Sequence, residues 1–266
     1  MANIFEQYGI KEVADVMIYE LKEGNGVTEE VPYLYLDTLK VSTIEQTAEQ
    51  SEARGGKGNS PLIIWDFGKE INVTLEDALY SPRSMAMAWG GQKLWESIET
   101  VDKTIAVKAS KNSTFPEVKV YNPYESKDVT IPSQNIEWKD ENGEVIAEKD
   151  GIQAGATYFA SFKMQVKQNN SNQLVIKADD FPGTYKIVGD TYARNRDTGK
   201  DEFFQFIIHR AKMSSDNSLT LEAEGDPTVF NLNLRTLRPK DGKMIELIQY
   251  QMAPTQSVIS PTSLED

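Results

Sequence analysis

The sequence predicts an all-β protein, a β-sandwich or barrel with one short flanking helix near residues 82–89. Three observations carry that expectation: apolar residues alternate with polar ones at period two, tight-turn sequences separate the alternating runs, and helix signals are few. In chain order, a weak helix candidate covers residues 10 to 18. The polar run VSTIEQTAEQSE follows, with Thr43, Glu45, Thr47 and Glu49 on one strand face. EARGGKGNSPLII, residues 52 to 64, ends that run in a glycine-rich tip and starts an apolar one. Ile71, Val73 and Leu75 then alternate with Asn72, Thr74 and Glu76.

SPRSMAMAWGG, residues 81 to 91, carries the best helix signal. Ser81 suits the N-cap and Pro82 the first helical position, and Gly90 or Gly91 can take the left-handed exit. Met85 and Trp89 share a face at a spacing of four, which suits packing on a sheet. Further on, Ile105, Val107 and Ala109 alternate with Thr104, Ala106 and Lys108. Tyr158, Ala160, Phe162, Met164 and Val166 do so with Ser161, Lys163, Gln165 and Lys167, and Phe230, Leu232 and Leu234 repeat the pattern. Asn142-Gly143, Asp197-Thr198-Gly199 and Asp241-Gly242 each suit a tight reversal. Roughly a dozen strands result. One β domain is expected over residues 1–252, with room for an insertion or second lobe at about 112–180, a loop-rich segment with its own hairpins. Residues 253–266, with two prolines and no periodicity, suit a flexible tail.

The acidic excess is large: 41 Asp and Glu against 28 Lys and Arg, a formal charge of −13. Such a body repels phosphate backbones, so DNA binding through a basic face is disfavoured. The absence of cysteine removes disulfides, thiolate metal sites and cysteine nucleophiles. The opening MANIFEQYGIKEVADVMIYEL shows no basic n-region followed by an apolar core, and no stretch is apolar enough to span a bilayer; no membrane association is expected.

Candidate chemistry fails one motif at a time. Residues 52–64 lack the Gly-Lys-Ser/Thr and following helix of a P-loop, because Lys57 precedes Gly58 and Pro61 opens an extended run. Asp197-Thr198-Gly199 matches the aspartic protease triplet by letters, but it follows Arg194-Asn195-Arg196 and suits a hairpin turn. The single histidine, His209, has no second histidine to share a zinc ion or complete a triad. Asp140-Glu141-Asn142-Gly143 lacks the spacing of a calcium loop. No catalytic, metal-binding or cofactor-binding residue is assigned, and a non-enzymatic role is expected.

Phe203, Phe204, Phe206, Ile207 and Ile208 place apolar groups on both faces of one strand. Such a strand is either central in a sandwich or covered by a neighbouring subunit, which makes Phe203, Phe204, Phe206 and Ile207 lateral-interface candidates.

With these features the sequence resembles the major tail tube proteins of tailed bacteriophages, particularly those of Gram-positive hosts. The likeness lies in GGKGNSPLIIWDFGKEINVTLEDALYSPRSMAMAWGG, in FPGTYKIVGDTYARNRDTGKDEFFQFIIHRAK and in LTLEAEGDPTVFNLNLRTLRP, roughly the first and last thirds of the chain. The resemblance implies a virion protein, assembled in the host cytoplasm, that forms hexameric rings. These stack into a tube through which double-stranded DNA passes without specific binding. It implies tape measure, initiator and terminator proteins as tail partners. A long hairpin reaching the adjacent ring is also implied, which assigns Arg54, Gly55, Gly56, Lys57 and Gly58 to its tip. An acidic lumen is implied too, for which Glu45 and Glu49 are the candidates. Alternative readings are a capsid decoration or tail-completion protein, the contractile-tail version of the tube, or a carbohydrate-binding module using Trp65, Trp138, Tyr121 and Tyr124.

Overall fold

The computed structural model describes residues 7–24, 27–90, 96–167, 171–220 and 229–252. The expected tail at 253–266 and Gly91 lie outside them. In chain order the strands are β1 (Tyr8–Ile10), β2 (Asp15–Gly24), β3 (Val27–Leu36), β4 (Leu39–Gly55) and β5 (Ser60–Asp77), followed by helix α1 (Pro82–Trp89). Then come β6 (Glu96–Ser97), β7 (Thr100–Lys108), β8 (Val118–Asn122), β9 (Lys127–Ile131), β10 (Glu137–Lys139), β11 (Thr157–Gln165) and β12 (Asn172–Gln173). The chain closes with β13 (Thr184–Asn195), β14 (Asp201–Met213), β15 (Phe230–Thr236) and β16 (Ile245–Tyr250). It divides into two compact units: Met1–Leu94 with Leu174–Asp266, and Trp95–Gln173.

The first unit holds a nine-stranded sheet in the order β3-β2-β13-β14-β15-β5-β4, with β1 beside β13 and β16 beside β14. The strands pair antiparallel throughout. Where a weak helix is expected at residues 10–18, the chain instead passes from the end of β1 through a short connection into β2 at Asp15. There Val16 and Ile18 are fully buried while Met17 and Tyr19 are not, a period of two that pairs β2 with β13 and β3. From Val16 on, the local helix signal loses to ladder pairing on both edges, which gives the backbone groups of β2 partners on each side.

Elsewhere the alternation holds. Val73 and Leu75 of β5 and Phe230, Leu232 and Leu234 of β15 all point into one core, with Ile187 and Ile208 from the central strands, and Ile71 is buried as well. Each such aliphatic side chain contributes roughly 1.5–3 kcal/mol on burial. Helix α1 covers this face, with Met87 and Ala88 buried and Met85 and Trp89 packed at its margin. Its start is a complete capping box: Ser84 N donates to Ser81 Oγ at 3.1 Å, and Ser81 N donates to Ser84 Oγ at 2.8 Å. Gly90 ends it at φ 81°, where a Cβ would meet the Phe181 backbone at 2.8 Å. Buried Asp77 ties the β3–β4 turn to the end of β5, its Oδ1 accepting from Thr38 Oγ1 at 2.5 Å and from Leu79 N at 3.2 Å.

Gly189 in β13 sits opposite Phe206 of β14, whose ring lies over the bare backbone. A Cβ at position 189 would land inside that ring, and Phe206 is itself buried in the core. Gly189→Ala is therefore expected to destabilise the first unit by about 1–3 kcal/mol through overpacking, read as a lowered urea midpoint. An unchanged midpoint would mean the ring moves aside freely.

The second unit has its own core on the sheet β10-β11-β7 and the separate hairpin β8–β9. Trp138 is buried there, stacked on Phe115 at 5.2 Å between ring centroids, beside Tyr158, Ala160 and Phe162. The Tyr158 hydroxyl accepts from Gln153 N at 2.9 Å and donates to Gly151 O at 3.3 Å. The reversal at Asn142-Gly143 forms as expected: Asp140 Oδ1 accepts from Asn142 N at 2.9 Å and from Glu144 N at 2.8 Å, and Gly143 takes φ 84°. Those bonds stabilise the carboxylate and hold the Asp140 pKa below its usual value.

Candidate functional site: an apolar hairpin arm

β4 and β5 run far beyond the rest of their sheet. β15 pairs with β5 only over Asn72–Asp77, whereas β4 and β5 stay paired out to Gly55 and Ser60. The stretch from Ile71 to the tip is thus a two-stranded ribbon roughly 35 Å long at about 3.4 Å per residue. The tip is a turn in which Gly56 (φ 79°) and Gly58 (φ 90°) adopt left-handed backbone and Asn59 N donates to Gly56 O at 3.2 Å. A strand follows it, so the glycines shape a reversal and frame no phosphate loop. At the end of β4, Arg54 pairs with Glu52 of the same strand at 2.5 Å, while Gly55 lies against Leu62.

The arm carries an unusual apolar load. Leu62 is 67% exposed, Ile63 and Trp65 are each 52% exposed, and Ile64 and Phe67 are each 50% exposed. Two-stranded ribbons are marginal in water by themselves, and contiguous apolar surface of this kind marks an interaction site. Sequence reasoning placed the interest of this hairpin in its charged tip and missed the arm. The signal was present in the unbroken run Leu62-Ile63-Ile64-Trp65, but without the register it was equally consistent with a buried strand.

Register decides which residues share a face. Thr47 lies opposite Glu70 and Glu49 opposite Phe67, so β5 carries one extra residue at Gly68–Lys69, with Gly68 at φ 61°. A bulge of this kind switches the faces of the strand beyond it. Before it, Ile71, Val73 and Leu75 face the core; beyond it, Phe67, Trp65 and Ile63 emerge on the opposite face, across from Glu49, Ser51 and Ala53. Glu45 lies opposite Asn72, also on the face away from the core, and Glu45 and Glu49 are both exposed. The two candidate carboxylates and the apolar row of the arm therefore share one face of the ribbon.

The apolar central strand divides differently from its sequence pattern. In β14 Phe206 and Ile208 are buried in the chain's own core, so Phe206 does not present a surface to a neighbour. Phe204, of the same parity, is half-buried. Phe203 and Ile207 face the other way, and β13 and β16 flank them. Phe203 stacks on Tyr250 at 5.1 Å and tilts against Tyr192 at 5.4 Å, an aromatic row crossing three strands. Asp197-Thr198-Gly199 is the β13–β14 turn, closed by Asn195 Oδ1 accepting from Asp197 N at 2.9 Å and Thr198 N at 3.1 Å. Beside it Arg194 grips Asp201 through two bonds of 2.6 and 2.7 Å, and the guanidinium holds that carboxyl below its ordinary pKa. His209 lies 3.5 Å from Glu246. Of the four aromatic candidates for sugar stacking, Trp138 is core and Trp65 belongs to the arm, while Tyr121 and Tyr124 are exposed in the second unit.

The profile of the YomU/Tube protein family matches residues 8–249, nearly the whole described chain. A tail tube protein of Bacillus phage SPR is 26% identical over 208 residues, covering 74% of this chain and 72% of that protein.

Proposed function

The chain belongs to the YomU/Tube protein family and is a structural tail tube protein of a phage virion, and on that premise we propose how it builds the tube. Six copies form a ring, and rings stack as the β4–β5 arm of each subunit lies against a subunit of the next ring. The exposed apolar arm carries this reading, because a ribbon of this composition gains most by being covered. Phe203, Ile207, Tyr192 and Tyr250 supply a lateral contact within the ring. Glu45, at the root of the arm, faces the channel, where like charge keeps DNA from adhering while it leaves the capsid; Glu49, directly across from Phe67, lies instead on the covered stretch. The unit Trp95–Gln173 is an insertion in the tube domain. Assembly takes place in the host cytoplasm with tape measure, initiator and terminator proteins, and the role is non-enzymatic.

The tip tests stacking separately from ring formation. Arg54→Glu sets a carboxylate beside Glu52, and Lys57→Glu removes the cation from the turn. Where the tip meets an acidic neighbour, attraction becomes repulsion at every copy of the ring. Negative-stain microscopy of the double variant should show isolated rings without long tubes. Ordinary tubes would show that the tip charges are dispensable to stacking.

A further inference from the structure

In the second unit, the β8–β9 hairpin and the β7–β11–β10 sheet wall a groove of about 1610 Å³. Ligand pockets for compact small molecules span about 300–1,000 Å³, so this space suits an extended chain. Tyr121 and Tyr124 line it, 60% and 89% exposed, with Tyr124 on the turn that joins the two strands. The Asn122 side chain holds that turn by accepting from Tyr124 N at 3.1 Å, which presents the ring outward. Lys167 Nζ lies 5.9 Å from the ring centroid.

The remaining lining is polar and balanced in charge. Asp102, Glu125 and Glu137 equal Lys103, Lys163 and Lys167 in number; Lys163 lies 4.0 Å from Asp102, while Glu125 and Glu137 pair with Lys127 and Lys139 beside the groove. Asn135 and Gln165 add planar amides, each able to donate and accept, and Thr104 and Ser161 add hydroxyls bonded to each other at 2.9 Å. Exposed tyrosine rings next to donors and acceptors match a pyranose. Its C–H face packs on the negative face of an aromatic ring while its hydroxyls exchange hydrogen bonds at the edge. A single-stranded nucleic acid also stacks on tyrosine, but it needs a positive track for its phosphates. Three carboxylates among three ammonium groups do not provide one.

We infer that this groove binds an uncharged oligosaccharide, with Tyr124 and Tyr121 as stacking platforms and the amides and charged pairs as hydroxyl partners. The binding is a property of the single chain and needs no ring. In a tube, many copies would present the site together, so a weak individual contact would gain by avidity.

The test uses the full chain, titrated by calorimetry with the tetramers of N-acetylglucosamine, β-linked glucose and α-linked glucose. Poly(glycerol phosphate) and oligo(dT) serve as polyanion controls. At least one neutral tetramer is expected to bind with a Kd below roughly 10 mM. Tyr124→Ala should weaken it about tenfold, and Tyr124→Phe, which keeps the ring, should change it by less than about twofold. Because Tyr124 is exposed, both variants should fold and assemble like the parent. Failure of every tetramer to bind overturns the inference, as does equal binding by Tyr124→Ala. Preference for either polyanion would assign the groove to an anionic polymer, and loss of tubes in Tyr124→Ala would make the hairpin a contact between subunits; either result also overturns it.

Discussion

Tubes should be lost when Trp65 and Phe67 are both replaced by aspartate, while the single chain stays folded. Both side chains lie on one face of the arm and are half exposed, so the isolated subunit gives up little by the exchange. If a neighbouring subunit covers that face, each aromatic ring gains on the order of 1–2 kcal/mol from the area still to be buried. Aspartate removes that gain and adds the cost of desolvating a carboxylate without a partner, typically several kcal/mol more. With roughly six such contacts acting together in a ring, the effect on assembly is all or none. Microscopy should show no tubes under conditions where the parent forms them, and the thermal midpoint of the dissociated chain should stay close to the parent's. Normal tubes would remove the arm from the assembly; a large fall in the midpoint would show that its rings serve the subunit's own stability.

The second large effect concerns transport rather than assembly. Glu45→Lys should leave tubes intact and slow DNA ejection. Glu45 lies opposite Asn72, on the face away from the core and short of Trp65 and Phe67, so folding and stacking are not expected to suffer. Each chain changes by two charge units, or roughly 12 per ring of six, turning a repulsive band into an attractive one. The delay should be greatest at low ionic strength, because the screening length falls from about 30 Å at 0.01 M salt to about 10 Å at 0.1 M. Ejection from a fully assembled variant particle, timed by dye release at both salt concentrations, reads the result. Parent-like kinetics at low salt would place the Glu45 carboxylate outside the channel.

Local chemistry made much of this fold legible in the sequence. The run Ser81-Pro82 with Gly90 contains its own start and stop signals, and α1 occupies the predicted span. The alternation at Ile71, Val73 and Leu75, and again at Phe230, Leu232 and Leu234, encodes a buried face without reference to any partner strand. Residues 10–18 were harder, since the pairing that makes Val16 and Ile18 core residues is supplied by β13 and β3. Phe206 shows the same limit from the other side. Its neighbours look equally apolar in sequence; the register with β13 puts Phe206 and Ile208 on the buried face, and Gly189 across the ladder leaves room for the ring there.

The arm depends on information that no short window contains. Gly68 is a single glycine in an apolar stretch, yet the bulge it permits decides that Trp65 and Phe67 share a face with Glu49. Whether that stretch is covered depends on where β15 stops pairing, more than 150 residues further along the chain. Tyr124 and Trp138 were likewise alike as sequence candidates. Burial separated them, placing Trp138 against Phe115 and leaving Tyr124 in solvent.

Negative-stain microscopy of the purified chain, across a concentration series and beside lysates of infected cells, tests the central claim most directly. The proposed assembly predicts rings about an open centre and tubes made by stacking them, with tubes favoured as concentration rises or when an initiator complex is supplied. Single chains at every concentration, together with lysates that contain no tubes bearing this protein, would contradict it.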